Sequence, residues 1–357
     1  MKMDKTYNPN TAIVGLWFGL NYGSILSAYA LYKAVEEMGY KPIFLNKPVG
    51  FWGERYEDET NIAGSFIHKY CYVSPAFYNG ETLFQFTKER DHFIVGSDVL
   101  WNYDICGKEA VGFFFLDFVP QYKNKISYAS SFGSGFEVEG NIKGSTRALL
   151  DKIPKRAVGD LKTLEILHMQ LKMDAKLVID PLFLTDKYDF KEEENKKEDY
   201  IFAYLENCDA QKRKMLCKAI ERLGIKSYNY ADINNFEESK LKYKMPVENP
   251  VCVETWVEDM KRANFVITDS YFTMCMAIIF KKPFIVLAPK TLPDLNRYTF
   301  LLNELDLLER LVYVEEDMAN YYYLLKKPVK YYLVEKKLNV FREESLEWLR
   351  RSLVNKN

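Results

Sequence analysis

Short apolar runs, each followed by a few polar residues and then by apolar residues at helical spacing, recur along the whole chain. This alternation constrains the fold more than any other feature. Ala12 to Leu16 (AIVGL) reads as a buried strand, and a helix is expected from about Ser24 to Met38, with Leu31, Ala34, Val35 and Met38 on one face. Gly39 stops it, and Lys41 to Leu45 reads as the next strand. A β-loop-α-β unit of this kind implies parallel pairing through a right-handed crossover. Further strands are expected at Phe93–Val95, Lys125–Ala129 and Lys176–Ile179, with a helix at Thr163–Leu171.

The segment from Lys187 to Asp199 (KYDFKEEENKKED) is a dense charge run, which reads as a solvated connection. Beyond it the alternation resumes. Strands are expected at Tyr200–Leu205, Lys226–Tyr230, Phe265–Thr268 and Phe284–Leu287, and helices at about Ala210–Leu223, Glu254–Ala263, Phe272–Phe280 and Tyr298–Leu307. An amphipathic helix from about Arg342 to Leu353 closes the chain. The expectation is an α/β protein of two Rossmann-like domains facing a cleft, residues 1–185 and 199–315. A helical tail, 316–357, would pack back across them. The 357 residues suit two domains.

Composition removes several function classes. Lys plus Arg number 49 and Asp plus Glu 50, so nothing favours a protein that grips nucleic acid by bulk charge. No run approaches the roughly 20 apolar residues of a membrane span. The N-terminus has no signal-peptide core, and the six cysteines include no CxxC pair. A reduced, cytoplasmic protein is expected, with no metal site. Walker A, GxGxxG, HExxH and GxSxG patterns are all missing. Aromatic residues are 15% of the chain, which suits either an aromatic-rich core or sugar-stacking clefts.

In open α/β sheets ligands sit at the carboxyl ends of the strands, so the polar segments there are the candidates. Asn21-Tyr22-Gly23-Ser24 opens the first helix, where free N–H groups favour an anion or polar ligand; the same residues would also serve as caps. Gly96-Ser97-Asp98 leads to Trp101 and Asn102, combining a carboxylate, a stacking face and an amide. Thr268-Asp269-Ser270-Tyr271-Phe272-Thr273 joins a strand to a helix. Lys290 to Arg297 places an arginine fork, suited to carboxylate or phosphate, before another helix.

Taken in order, NYGSILSAYAL (Asn21–Leu31), VGSDVLWN (Val95–Asn102), KISYASSFG (Lys125–Gly133), VIDPLFL (Val178–Leu184), the long stretch Glu254–Leu287 and NRYTFLLNELDLLERLV (Asn296–Val312) resemble the polysaccharide pyruvyl transferase family, which is GT-B-like in fold. The resemblance implies transfer of an enolpyruvyl or pyruvate-ketal unit from phosphoenolpyruvate to a sugar of a cell-surface polysaccharide precursor. The acceptor is typically lipid-linked or a glycan precursor, which would bring the protein to the inner face of the membrane. Phosphoenolpyruvate is then a co-substrate, and no cofactor is called for. The chemistry needs a proton donor, groups for a carboxylate and a leaving phosphate, and a base for the attacking hydroxyl.

The resemblance gives catalytic roles to Asp98, Asp269 and Tyr271. It gives donor binding to Ser270, Thr273, Lys290, Asn296 and Arg297 on the second domain. Acceptor binding falls to Asn21, Tyr22, Trp101, Asn102, Ser130 and Ser131 on the first. The chain departs from the family pattern at Phe272, where the family has His, at Ser27 and Val99, where it has Gln, and at Ala157-Val158-Gly159-Asp160, where it has an arginine. The three histidines, His68, His92 and His168, all lie elsewhere. Two other readings follow from these departures: a catalytically inactive glycan- or partner-binding relative, and a GT-B glycosyltransferase using a nucleotide-sugar.

Overall fold

A computed structural model describes residues 8–18, 21–46, 62–76, 80–103, 111–133, 138, 140–190, 199–229, 245–246, 251–315 and 318–354. Residues 191–198 of the charge run, together with Gly19, Cys106 and Tyr230, lie outside this set. The chain forms two compact units, one of Met1–Lys187 with Val340–Asn357, the other of Tyr188–Asn339. Residues 316–339 of the expected tail therefore belong to the second unit and 340–357 to the first.

The first unit is built from β1 (Thr11–Val14), α1 (Tyr22–Glu37), β2 (Pro42–Phe44), α2 (Ile62–Tyr70), α3 (Gly80–Lys88), β3 (His92–Val95), α4 (Val111–Phe114), β4 (Asn124–Ser130), α5 (Gly140–Leu150), β5 (Lys155–Val158), α6 (Leu161–Glu165) and β6 (Lys176–Leu177). All six strands are parallel, in the order β2-β1-β3-β4-β5-β6. A parallel sheet covered on both faces needs apolar residues at successive positions, not alternate ones. β1 and β3 are accordingly buried throughout. The helix expected at 163–171 starts two residues earlier as α6 and continues as a π-helical turn, Ile166–Gln170. α1 carries buried residues around most of its circumference. One side meets Phe66 and Tyr70 of α2 through Tyr29.

Close backbone approach governs the carboxyl ends of β1, β3 and β4. A Cβ on Gly15 would stand 2.6 Å from the Gly96 carbonyl oxygen, and a Cβ on Gly96 would stand 2.1 Å from the Tyr128 carbonyl oxygen. Both are impossible contacts with backbone that cannot swing aside, so glycine is required where the three strands converge on the loop before Asp98.

The second unit contains β7 (Tyr200–Tyr204), α7 (Ala210–Leu223), β8 (Lys226–Asn229), β9 (Met245–Pro246), α8 (Val253–Arg262), β10 (Phe265–Thr268), α9 (Tyr271–Ile279), β11 (Phe284–Ala288), α10 (Leu295–Glu304), β12 (Leu311–Tyr313) and α11 (Met318–Lys326). Its parallel sheet runs β12-β11-β10-β7-β8-β9. Ile201, Ile267, Ile285 and Leu287 meet Tyr321 and Leu324 of α11 in one core. α12 (Tyr331–Leu353) runs from the second unit into the first. At its start, Tyr331 donates to the carbonyls of Ala277 (3.3 Å) and Lys282 in the second unit. Near its end, Ser345 Oγ accepts from the Ile179 N–H (3.0 Å), and the Ser352 carbonyl accepts from Asn124 and Lys155 of the first. No described helix is long and apolar enough to cross a membrane.

In each sheet the strand order reverses at one point. In the first it lies between β1 and β3, and in the second between β7 and β10. The loops that diverge at such a point open a crevice at the carboxyl edge.

Two stability effects follow. Gly96→Ala should cost roughly 1–3 kcal/mol through overpacking, whereas Gly144→Ala, on α5 with nothing within 4 Å of its added Cβ, should stabilise by about 0.5–1 kcal/mol; urea denaturation midpoints of the two variants compare them directly. His92 is buried and its Nδ1 lies 2.9 Å from the Asn124 amide nitrogen, which donates to a neutral ring. Burial pushes its pKa below the ordinary value. Protonation then favours the unfolded chain, so this contribution is full above about pH 6.5 and is lost as the pH falls. The acid limb of a stability–pH curve should flatten in His92→Gln.

Candidate functional site

In the second unit, the β10–α9 junction lies at the point of strand reversal, beside the loop that follows β7. Asp269 joins the two loops. One carboxylate oxygen accepts from the Glu206 N–H at 2.6 Å; the other accepts from the Asn207 N–H at 3.1 Å and from Lys212 Nζ at 2.5 Å. Lys212 is 3% exposed and Asp269 8%. The ammonium also donates to the Asn207 carbonyl at 2.9 Å. A buried carboxylate is tolerated when it is paired and hydrogen-bonded in this way. These bonds engage both oxygens of Asp269, expected from the resemblance to be catalytic, and fix Glu206 and Asn207 against the start of α9.

Ser270 is the N-terminal flanking residue of α9, and its side chain makes no capping bond. Its own N–H donates to Thr268 Oγ1 (3.0 Å), which in turn donates to the Tyr204 carbonyl (2.7 Å). The first turn of a helix leaves N–H groups without intrahelical partners, here those of Phe272 and Thr273. Above this turn lies Arg297, half-buried, with its guanidinium carbon 3.8 Å from the ring centre of Tyr271 and 5.0 Å from that of Phe272. Tyr271 meets Tyr298 edge-on, and Tyr298 Oη donates to the Asp269 carbonyl at 2.9 Å. Burial, with Glu206 and Asp269 nearby, raises the Tyr298 phenol well above its usual pKa and keeps it a donor.

Tyr271, Phe272, Ser270, Thr273 and Arg297 are thus brought to one helix end. Asn296 is exposed on the first turn of α10. Lys290 is exposed, its ammonium 5.4 Å from the ring centre of Tyr313 and its N–H bonded to Glu315. Glu206 and Lys212 were not candidates from the sequence. Glu206 is a single acid and Lys212 one of three consecutive basic residues on an amphipathic helix, and only the strand order brings them to Asp269.

In the first unit, the strand reversal brings Asn21 and Asp98 into one cluster. Asn21 Oδ1 caps α1 by accepting from the N–H groups of Gly23 (2.8 Å) and Ser24 (3.2 Å). Ser24 Oγ then donates to Asp98 Oδ2 at 2.7 Å, while Oδ1 accepts from the Val99 N–H at 2.9 Å. Asp98 holds φ of 80°, a region few side chains other than Asn and Asp enter readily. Beneath it Ser27 donates to Asp180 Oδ1 (3.2 Å) and lies 2.8 Å from Ser97 Oγ. One hydroxyl has one proton, so Ser97 is the donor to Ser27.

The other acceptor-side residues are internal. Tyr22 is buried at the start of α1. Trp101 is 0% exposed, stacks on Phe115 at 5.6 Å and donates to the Phe114 carbonyl. The stacking face expected of it for a sugar is part of the core. Ser130 is fully buried and donates to the Val95 carbonyl. Ser131 accepts from the Gly133 N–H, and Asn102 donates to the Phe132 carbonyl, so both shape the loop after β4.

Comparisons with known proteins agree with this architecture. S. aureus MnaA in its co-structure with UDP is 15% identical, with a TM-score of 0.52 over 88% of this chain and 86% of that one. Arabidopsis thaliana UGT89C1 complexed with UDP-L-rhamnose is 8% identical, with a TM-score of 0.54 over 98% and 100%. At such identities the likeness shows the fold alone, which is GT-B-like. None of the curated proteins compared matches the chain. The family model described as polysaccharide pyruvyl transferase matches residues 21–291, from the Asn21 cap of α1 to just past Lys290, leaving Arg297 beyond its end. With the match covering most of the sequence and both strand-reversal points, the chain belongs to the polysaccharide pyruvyl transferase family.

Proposed function

We propose that the protein transfers the pyruvate unit of phosphoenolpyruvate to a sugar of a cell-surface polysaccharide precursor, with the donor bound at the start of α9. Besides the family, the observation that carries this reading is the Arg297 guanidinium resting on Tyr271 and Phe272 at a helix N-terminus. Phosphoenolpyruvate carries a carboxylate and a phosphate. A guanidinium fork binds either one, and the helix N–H groups suit the other. As phosphate leaves, the same groups stabilise the charge that grows on it.

The family's proton donor is replaced by Phe272, whose ring can neither give nor take a proton. Glu206 offers a carboxyl group in its place. Its N–H is bonded to Asp269, and its charge acts on Tyr298, whose hydroxyl reaches the Asp269 carbonyl. In this scheme Glu206 protonates the methylene carbon and the acceptor oxygen bonds to the central carbon. The carboxylate takes up the acceptor's proton. Breaking the carbon–oxygen bond to phosphate then allows a second hydroxyl to close the ketal, its proton leaving on the phosphate.

Phe272 also favours a second reading, a relative that binds glycan without turnover. Phosphate release from phosphoenolpyruvate with bacterial cell-wall glycan acceptors, alongside calorimetry with phosphoenolpyruvate alone, separates the two. Turnover is expected from the native chain. Arg297→Met should weaken it roughly a hundredfold. Glu206→Gln should lower kcat by about 10²–10⁴-fold with little change in KM. Absence of phosphoenolpyruvate binding, or stabilisation by a nucleotide-sugar instead, would count against the first reading. Glycan binding without phosphate release would support the second.

A further inference from the structure

The turn between α11 and α12 combines exposed aromatic and apolar side chains with a local excess of positive charge. Tyr323 is 60% exposed, Tyr332 69% and Leu333 46%. The helices have their apolar partners on the other side, since Tyr321, Leu324, Leu325 and Val334 are buried. Residues 323–337 hold five lysines and one acid, in a chain whose formal net charge is −1.

The ion pairs around this turn consume its acidic groups. Lys327 pairs with Glu309 at 2.5 Å, Lys337 with Asp306 at 2.7 Å, and the lone acid Glu335 with Lys281 at 2.5 Å. Lys326, Lys330 and Lys336 are exposed and form no ion pair among the described residues, so they remain there as surplus charge. The turn is also held in shape. Arg310 is fully buried and donates to the carbonyls of Leu324 (3.1 Å) and Lys327 (2.6 Å), closing the C-terminal end of α11. Tyr331 anchors the start of α12 on the carbonyls of Ala277 and Lys282.

From this juxtaposition we infer that the α11–α12 turn is a docking surface for an anionic lipid bilayer. Tyrosines and a leucine enter the interfacial layer, where an amphipathic ring is best placed. Lysines beside them attract acidic headgroups over about a Debye length. A soluble polyanion would be met by the lysines alone and leave Tyr332 and Leu333 in water. The bilayer is the occupant that engages both chemistries. The inference does not depend on the reaction proposed above, although a lipid-linked acceptor would give the surface its purpose.

Co-sedimentation of the full chain with vesicles of phosphatidylcholine alone, and of phosphatidylcholine mixed with phosphatidylglycerol, tests it. Binding is expected to the mixed vesicles, decreasing as salt is added. Neutralising the three surplus lysines together (Lys326→Gln, Lys330→Gln, Lys336→Gln) should weaken partitioning roughly a hundredfold. Tyr332→Ser with Leu333→Ser should reduce the binding that survives high salt. Lys218→Gln, at an exposed position on α7, should leave binding unchanged. Equal binding to neutral and mixed vesicles would overturn the inference, as would no binding to either or full binding by the triple variant. Loss of binding on Tyr332→Ser and Leu333→Ser with unchanged melting identifies a surface effect. Retention of native affinity by that pair would reject the bilayer in favour of a purely ionic ligand.

Discussion

The carboxylate of Asp269 is the interaction on which the second unit's crevice depends. A charge this deep in a protein survives only when its partners replace the water it has lost. Here they come from two different loops. Lys212 and the N–H groups of Glu206 and Asn207 belong to the β7–α7 connection, while Asp269 itself begins the β10–α9 connection. Adjacent parallel strands β7 and β10 send these connections in opposite directions at the reversal of strand order. Without a tie between them the crevice floor would have no fixed shape. Removing either partner would leave the other charge buried and uncompensated, which typically costs about 3–5 kcal/mol. The same residue therefore serves the fold and the site, and the order of α9's first turn derives from it.

The first unit solves the same geometric problem with neutral groups. Ser24 and the Val99 N–H hold Asp98, and Ser27 with Ser97 reaches down to Asp180. Hydroxyls are small, so the strands can converge closely, and glycine at positions 15 and 96 completes that convergence. The serine at position 27, where the family carries a longer amide, fits this compact arrangement. It links three segments distant in sequence: α1, the end of β3 and the Asp180-Pro181 corner.

Much of this was legible in the amino-acid order. β3, β7, β10 and β11 are runs of apolar residues bounded by polar ones, and such runs have few other uses in an α/β chain. Strand order at the carboxyl edge then makes the polar residues after each run the natural candidates. α2 and α5 did not stand out, because Gly64, Gly140 and Gly144 interrupt their periodicity and tertiary packing decides their form. Burial was the other hidden quantity. Trp101 and Ser130 carry suitable functional groups, yet the core uses both, and a motif read as a string does not distinguish an indole stacked on Phe115 from one open to a sugar. Lys212 and Glu206 had no local signal at all, since their meaning lies in Asp269, more than fifty residues away.

Phe272 changes meaning once Arg297 is placed beside it. An aromatic ring in a site built for anions removes a proton carrier, but it also provides a face on which a guanidinium can lie flat. Arg297 rests on Tyr271 and Phe272 together, and stacking of this kind limits its rotamers. A histidine at position 272 would compete with the arginine when protonated, because two cations repel at such separations. Phenylalanine lacks that charge. Phenylalanine thus removes a titratable group and adds a face for a permanently charged one, and the proposed reaction would then need a neighbouring carboxyl group for proton transfer. On the reaction proposed above, loss of the histidine is a redistribution of roles within the β7–β10 crevice, with Asp269 holding the frame, Arg297 assigned to the anion and Glu206 to the proton.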